Sequence, residues 1–453
     1  MSVLYLIVVC LATGVAIRLL RRLPRLVFVA ALIGASVLGF LLATAPTEPI
    51  LFFGRSLALD LAARVFIAPA IALAAALSFF SLLTFERASN APTDIIANSQ
   101  GAFFFWSLAP LIVAVALGSF PIAVFFWAVG LIVLVLAANP QREGRVGGAA
   151  QFLLLTVIAS ACLWLANRLV DLYPLTPENV DLIRNTVIFL ALGFGLMLSV
   201  VPLGIWLGPL TDEMPLLGTA FLVSVAQPVG LWLLFQQMND VTWLVAKSPL
   251  LDIVLAGGAI TVPTAALLTL GEKRPGRFVA YLSLLSLGHA LIGLGLGTHL
   301  GLVAAMLAMF NRAVGVALVA GGMSFAQHHI ERRWQVVGAL AILCGGLALS
   351  GIAPILGFAA NYSMYLGLAS NVTLVVVLLA SNALALLSTI RLAWSVLIDK
   401  SETTRAASEF KLVPYLCAGV VVVLVIVVVL AGLFPQMLAA PLIDAVGKAA
   451  YLK

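Results

Sequence analysis

The sequence predicts an all-α polytopic membrane protein with about fourteen transmembrane helices. Of its 453 residues, 63% are hydrophobic and only 9% are charged, whereas soluble domains carry roughly 25% charged residues. The apolar residues form continuous stretches of the length that a helix needs to cross a bilayer. Strands of a transmembrane barrel would alternate apolar and polar residues, and these stretches do not.

Each apolar stretch is a candidate membrane-spanning helix. We expect the first to be retained as helix 1, because its arginines follow the apolar run instead of preceding it as they do in a signal peptide. The connections are short, so any function belongs to the helical bundle or to partner subunits. The fourteen stretches cover residues 3–20, 26–45, 61–84, 100–118, 120–138, 149–168, 186–207, 214–236, 249–270, 278–298, 300–324, 335–368, 372–396 and 412–434.

The distribution of lysine and arginine predicts the orientation, because cytoplasmic loops carry the excess of these residues. When loops are assigned alternately to two sides, fifteen of the 24 Lys and Arg fall on one side and seven on the other. We expect the richer side, the basic face, to be cytoplasmic and both termini to lie on the outer face of a bacterial cytoplasmic membrane. The basic-face residues are Arg18, Arg21, Arg22, Arg25, Arg87, Arg142, Arg145, Lys273, Arg274, Arg277, Arg332, Arg333, Lys400, Arg405 and Lys411.

Two prolines predict interruptions in the seventh and twelfth helices. Pro202 lies in LSVVPLGI and Pro354 in LSGIAPILGF, 152 residues later. Each proline removes a backbone hydrogen bond and frees carbonyl groups at membrane depth. The sequence pattern that the two segments share suggests an internal repeat. Transporters built from repeats place their pathway at corresponding broken helices. Proline kinks that serve packing alone are an equally favoured alternative.

Four segments resemble the antiporter-like membrane subunits of respiratory complex I and of Mrp-type cation/proton antiporters. They are 193–234, 281–318, 351–366 and, more loosely, 125–160. The resemblance implies two inverted repeats of five helices. Its divisions are helices 1–3 at 1–99, the first repeat (helices 4–8) at 100–236, the second (helices 9–13) at 249–396, and helix 14 with a short tail at 412–453.

The resemblance also implies a buried relay of titrating residues, and the sequence departs from it. A proton cannot move by titration through groups that do not titrate, and asparagine and glutamine order water without taking up a proton near neutral pH. We therefore expect the relay to be largely neutralised. The family's glutamate and lysine positions fall on Ala128 in the fifth helix, Gln151 in the sixth, Met197 in the seventh, Gln227 in the eighth and Asn361 in the twelfth, and only Arg312 in the eleventh is charged.

Three ionisable residues remain as candidates in or near the spans. An arginine at the centre of a membrane helix costs roughly 2.5–3.5 kcal/mol, so Arg312 needs compensating contacts. Because a guanidinium does not deprotonate, a structural contact is favoured over an ion-pathway role. Asp252 is a possible counter-charge, and His289 is expected to be packed and hydrogen-bonded.

The sequence contains no phosphate-binding loop, dinucleotide fingerprint, nucleophile elbow or cysteine cluster. We expect no catalytic site, cofactor or metal on this chain, no nucleic-acid partner, and contact with quinone only through neighbouring subunits. Three interpretations stay open. The leading one is a scaffold or weakly conducting membrane-arm subunit of a complex I-related (NADH-quinone oxidoreductase-like), hydrogenase-linked or Mrp-like assembly in the lipid bilayer. The others are an active proton or sodium translocating subunit with a polar water path, and an unrelated free-standing secondary transporter.

Overall fold

The fold is a bundle of apolar α-helices, as the composition predicts. The computed structural model describes residues 2–21, 23–45, 50–52, 55–88, 100–138, 147–328, 331–398, 412–446 and 452. Within these residues, ten helical segments are long and apolar enough to cross a membrane, and three shorter apolar helices accompany them. The prediction of a helical, polytopic membrane protein is confirmed. Six of the basic-face residues lie outside the described residues: Arg22, Arg142, Arg145, Lys400, Arg405 and Lys411.

Each predicted apolar stretch overlaps a helix or a pair of helices. A π-helical turn, Leu222–Ala226, joins α9 to α10, and a 3-10 turn, Tyr173–Leu175, follows α6. The helices are α1 Ser2–Leu19, α2 Pro24–Thr44, α3 Leu61–Ala88, α4 Gln100–Ala116, α5 Phe120–Ala138, α6 Gly147–Leu172, α7 Val180–Leu198, α8 Leu207–Glu213, α9 Leu216–Phe221, α10 Gln227–Asp240, α11 Thr242–Lys247, α12 Leu250–Gly271, α13 Pro275–Gly295, α14 His299–His328, α15 Arg332–Leu349, α16 Leu356–Gly367, α17 Val372–Ile398, α18 Leu412–Leu433 and α19 Gln436–Val446.

A short β-hairpin, which the all-α prediction missed, lies in the connection between α2 and α3. Strands β1 (Ile50–Phe52) and β2 (Arg55–Leu57) pair antiparallel, and the Ala58 N–H donates to Ala116 O at 2.9 Å. Backbone groups at the end of an apolar bundle need hydrogen-bond partners. The hairpin provides those partners. Its strands are too short to give a clear alternating pattern in the sequence.

Two apolar segments are interrupted in the middle. Helix α7 ends at Leu198, Ser199 adopts a left-handed backbone conformation with φ of 62°, and α8 begins at Leu207. Helix α15 ends at Leu349, Gly351 has φ of 68°, and α16 begins at Leu356. Pro202 and Pro354 lie in these two interhelical segments, each after a cis peptide bond. Local backbone hydrogen bonds satisfy part of each segment, and side chains of neighbouring helices bond other groups, as Thr261 Oγ1 does at the N–H of Val201.

The centre of the bundle consists of α9, α10, α13 and α14. The apolar windows in 216–240 and 275–295 are each 94% buried, whereas the window in α18 is only 17% buried. Helices with a low buried share present their apolar side chains outward, which is the arrangement expected of lipid-facing helices. Any site that is shielded from lipid therefore lies around α10, α13 and α14.

Acidic residues of α8 connect three helices at the basic face. The carboxylate of Asp212 accepts hydrogen bonds from Arg274 and Arg277 at the start of α13. The carboxylate of Glu213 accepts hydrogen bonds from the backbone N–H groups of Gly148 at 2.7 Å and Ala149 at 2.9 Å. These are N–H groups in the first turn of α6 that have no partner within the helix, so Glu213 caps α6 from another helix.

We predict that Glu213→Ala lowers the free energy of unfolding by about 1 kcal/mol, the usual cost of losing an N-terminal cap. Unfolding can be followed with a thiol-reactive dye in a background in which the half-buried Cys162 and Cys344 are replaced by Ser, because Cys10 and Cys417 are buried. Glu178→Ala is the matched control, since Glu178 is exposed and we expect its removal to leave the unfolding midpoint unchanged. Equal midpoints for the two variants would contradict the capping role.

Candidate functional site

The side chain of Arg312 lies at the centre of the bundle, with no exposed surface. Its Nη2 donates a hydrogen bond to Gln227 Oε1 and a longer one, of 3.4 Å, to Ser283 Oγ. Its Nε and Nη1 have no protein partner. Among the described residues, no aspartate, glutamate or lysine is buried. The contacts that hold this guanidinium are therefore neutral.

Gln227 connects Arg312 to the interruption after α7. While its Oε1 accepts from Arg312, its Nε2 donates to Ser199 Oγ at 3.0 Å and to Leu198 O at 3.4 Å. Ser199 is the left-handed residue at which α7 ends. One buried amide therefore binds the charged side chain through its oxygen and the broken helix through its nitrogen.

The backbone beside Gln227 is irregular, and a tryptophan from α5 compensates for it. The π-helical turn Leu222–Ala226 ends at Gln227, and Pro228 follows. Trp127 Nε1 donates to Ala226 O at 2.8 Å. π-helical turns are rare and often occur at functional sites. Here the turn places the Gln227 amide between α7 and α14.

The neighbouring residue on α14 contacts the second interruption. Asn311 Nδ2 donates to Ala348 O at 2.7 Å, in the last turn of α15. Two adjacent residues of one helix thus reach both broken helices, Asn311 directly and Arg312 through Gln227. We call this set the central polar cluster, and its members are Ser199, Gln227, Ser283, Asn311 and Arg312.

The remaining relay positions are not members of this cluster. Ala128 and Met197 are buried among apolar side chains, and beside them Trp127 and Phe194 have ring centroids 6.5 Å apart. Gln151 is half-buried near the start of α6. The predicted relay positions that hydrogen-bond to each other are Gln227 and Arg312.

Asn361 packs against the second interruption. It is 4% exposed, and its Nδ2 has no protein partner. A Cβ atom added to Gly351 would collide with this amide. The positive φ of Gly351 and this close approach both require glycine at that position.

Asp252 does not act as the counter-charge of Arg312. Its side chain is exposed in the first turn of α12, a largely outward-facing helix, while Arg312 is fully buried and bonded to neutral groups. His289 is 3% exposed in α13, and its Nε2 has no protein partner. His289 is therefore a packed core residue.

Sequence reasoning missed Ser199, Ser283 and Asn311. Two of them stood next to features that it had singled out. Asn311 precedes Arg312, and Ser199 stands three residues before Pro202. Ser283 carried no local signal, because its role depends on how α13 packs against α14. Among the described residues, no group of three or more His, Cys, Asp or Glu side chains converges as a metal site.

The fold and the site define a polytopic helical membrane protein with two interrupted helices and a buried polar cluster. Residues 120–388 match the family described as NADH:quinone oxidoreductase/Mrp antiporter, transmembrane. Because this match covers more than half of the chain, the protein belongs to that family. The family prediction is confirmed.

Curated relatives agree with this membership. The chain is 25% identical over 319 residues to NADH-quinone oxidoreductase subunit N of Desulforudis audaxviator, an alignment covering 64% of this chain and 63% of that protein. It is 26% identical over 259 residues to formate hydrogenlyase subunit 3 of Escherichia coli, covering 51% and 42%. The chain thus spans less than two thirds of the length of these curated relatives.

The whole fold recurs in solved membrane complexes. A chain of the archaeal membrane-bound sulfane sulfur reductase superimposes with a TM-score of 0.77 at 18% identity, covering 99% of this chain and 98% of that one. A chain of the Mrp complex from Dietzia sp. gives 0.78 at 16% identity, covering 99% and 97%. A chain of Thermus thermophilus respiratory complex I gives 0.76 at 18%, covering 99% of both. At these identities the similarity shows the fold alone.

We predict that Gln227→Leu lowers the free energy of unfolding by about 3 kcal/mol, because it leaves a buried charge without its main partner. The double variant Gln227→Leu with Arg312→Met removes the charge as well, and we expect it to recover most of that loss. The measurement is the dye-detected unfolding midpoint of each variant.

Gln237→Leu is the control for this experiment. Gln237 is a buried glutamine on the same helix, and its Nε2 has no protein partner. We expect a change below about 1 kcal/mol there. A double variant that is less stable than Gln227→Leu alone would show that Arg312 stabilises the bundle through contacts other than Gln227.

Proposed function

We propose that the protein is an antiporter-like membrane-arm subunit of a multisubunit assembly related to NADH-quinone oxidoreductase, to a membrane hydrogenase or to an Mrp antiporter. We further propose that its relay is largely neutralised, so that it acts as a scaffold or conducts weakly. One observation carries this proposal: among the described residues, the buried interior holds no aspartate, glutamate or lysine, and Arg312 is bonded to neutral partners.

The fixed charge of Arg312 is the physical reason for weak conduction. A guanidinium stays protonated, so it cannot pass a proton along. Its field also opposes an incoming cation by about 4 kcal/mol at 4 Å for an effective dielectric constant of 20. No buried carboxylate among the described residues offsets that field. A relay built from titrating pairs would need such carboxylates.

The proposed architecture has fourteen spans, two inverted repeats of five helices at 100–236 and 249–396, and both termini on the outer face of a bacterial cytoplasmic membrane. Its support is the set of ten long and three shorter apolar helices, with the pair α15 and α16 as the fourteenth unit. In this architecture, the interruptions after α7 and α15 would lie at corresponding places in the two proposed repeats. The orientation is supported by the charge count and by the position of Arg274 and Arg277 at the start of α13.

A conducting subunit is the second candidate function, and the unpartnered polar atoms favour it. Arg312 Nε and Nη1, His289 Nε2 and Asn361 Nδ2 are buried and have no protein partner. Buried polar groups are usually satisfied, and ordered water supplies the missing bonds. A chain of such waters past the central polar cluster would carry protons without titrating side chains.

We predict that proteoliposomes containing the protein take up protons no faster than protein-free liposomes when a potassium diffusion potential drives uptake. The measurement uses a pH-sensitive dye trapped inside the vesicles. The double variant Met197→Lys with Asn361→Lys restores two titrating groups. A faster uptake in that variant would show that a dormant path remains.

The control for this experiment is Met197→Gln with Asn361→Gln, which adds polarity without a titrating group. Rapid uptake by the unaltered protein, reduced by Gln227→Leu, would overturn the scaffold proposal in favour of the conducting one. An unchanged rate in the lysine variant, together with an unchanged unfolding midpoint, would argue against a dormant path.

We predict that the tagged chain, purified from its native membrane in mild detergent, brings other membrane subunits with it. Mass identification of these proteins would name the assembly and its chemistry. Recovery of a stable, monodisperse single chain would contradict the subunit proposal and support a free-standing secondary transporter.

A further inference from the structure

An apolar groove runs along the outside of the bundle between α3, α14 and α18. Its volume is about 610 Å³. Pro69 and Leu73 line it on α3, and Phe310 and Val314 line it on α14. The phenol hydroxyl of Tyr415 on α18 is its one side-chain polar group. The shape and lining suit a flexible hydrocarbon chain.

The groove has the length of one membrane leaflet. On α18 it extends from Tyr415 through Gly419 and Val423 to Val427, which are spaced four residues apart on one helix face. Twelve residues at 1.5 Å per residue span about 18 Å. Half of a hydrocarbon core of about 30 Å is about 15 Å. A single acyl chain of the leaflet at the basic face would therefore fit along α18.

A positively charged, aromatic group stands at the basic-face end of this groove. Arg333 Nη1 donates to the Tyr415 hydroxyl at 2.9 Å, and Arg333 lies over the ring of Trp334 at 5.0 Å. Arg333 Nε also bonds Glu331 Oε2 at 2.5 Å, while the neighbouring Arg332 is exposed. The two arginines and one glutamate leave one net positive charge beside the groove.

We infer that this groove binds an anionic phospholipid, with its phosphate at Arg332 and Arg333 and an acyl chain along α18. The charge at the mouth complements a phosphate, since arginine forms strong charge-assisted hydrogen bonds to phosphate oxygens. Basic pockets between helices on the cytoplasmic side bind anionic headgroups, and tyrosine and tryptophan sit at the headgroup level. The inference requires that the basic face lies at the membrane surface and is independent of whether the bundle conducts.

The test is native mass spectrometry of the delipidated full chain after exposure to micelles that contain phosphatidylglycerol and phosphatidylcholine with the same acyl chains. We expect one phosphatidylglycerol to be retained about fivefold more than phosphatidylcholine. Arg333→Gln should remove that preference. Gly419→Leu should prevent retention of both lipids, because a Cβ atom there meets nothing within 4 Å and the side chain can fill the groove without a clash.

Two variants elsewhere serve as matched controls. Arg184→Gln removes another exposed arginine that also pairs with an acid, Asp181 at 2.9 Å. Gly39→Leu places a leucine at an equally open, exposed glycine of α2. Neither should change lipid retention, and gel filtration confirms that every variant is folded.

Three results would overturn the inference. Equal retention of the two lipids would show that the arginines do not select the headgroup. Retention that is unaffected by Gly419→Leu would show that the lipid does not bind in the groove. Failure to retain either lipid, combined with loss of a co-purifying membrane subunit in Gly419→Leu, would assign the groove to a protein partner instead.

Discussion

The hydrogen bond between Arg312 and Gln227 is the interaction on which the centre of the bundle depends. A guanidinium without exposed surface needs strong neutral partners, because no buried carboxylate among the described residues compensates its charge. Gln227 also binds Ser199, so the same amide that holds the charge closes the end of α7. Asn311, one residue away, binds Ala348 at the end of α15. Both interruptions are thereby fixed by α14, and a change at Arg312 reaches α7, α10 and α13 together.

The charges of the protein are separated by depth. The described acidic residues lie at the ends of helices, where Asp212 binds Arg274 and Arg277 and Glu213 caps α6. Besides His289, the described interior holds a fixed cation and neutral amides, which can order water but cannot exchange protons at neutral pH. This separation is the basis of the proposed scaffold role. The similarity to chains of a sulfane sulfur reductase and of an Mrp complex shows a shared fold, and one fold can carry different chemistry through different residues.

The outer helices of the bundle differ from the central helices in how much of their surface is buried. Helices α9, α10, α13 and α14 are almost completely buried, whereas α18 presents most of its surface outward. Apolar side chains of α18 such as Val423 and Val427 remain exposed along the groove, so the bilayer itself is the natural source of a ligand. Hydrogen bonds stabilise the centre of the bundle. The outer helices are stabilised by the molecules that cover their apolar surface.

The sequence by itself determined the class, the helix positions and the family, because helix length and continuous hydrophobicity are local properties that the bilayer enforces. It also located the interruptions near Pro202 and Pro354 and marked Gln227 and Arg312. Tertiary structure decided that these two residues meet although they are 85 positions apart, that Asp252 is exposed, and that Ser283 and Asn311 join the cluster. It also added the hairpin between α2 and α3. Such contacts depend on which helix faces pack together, and residue spacing within one helix does not encode that choice.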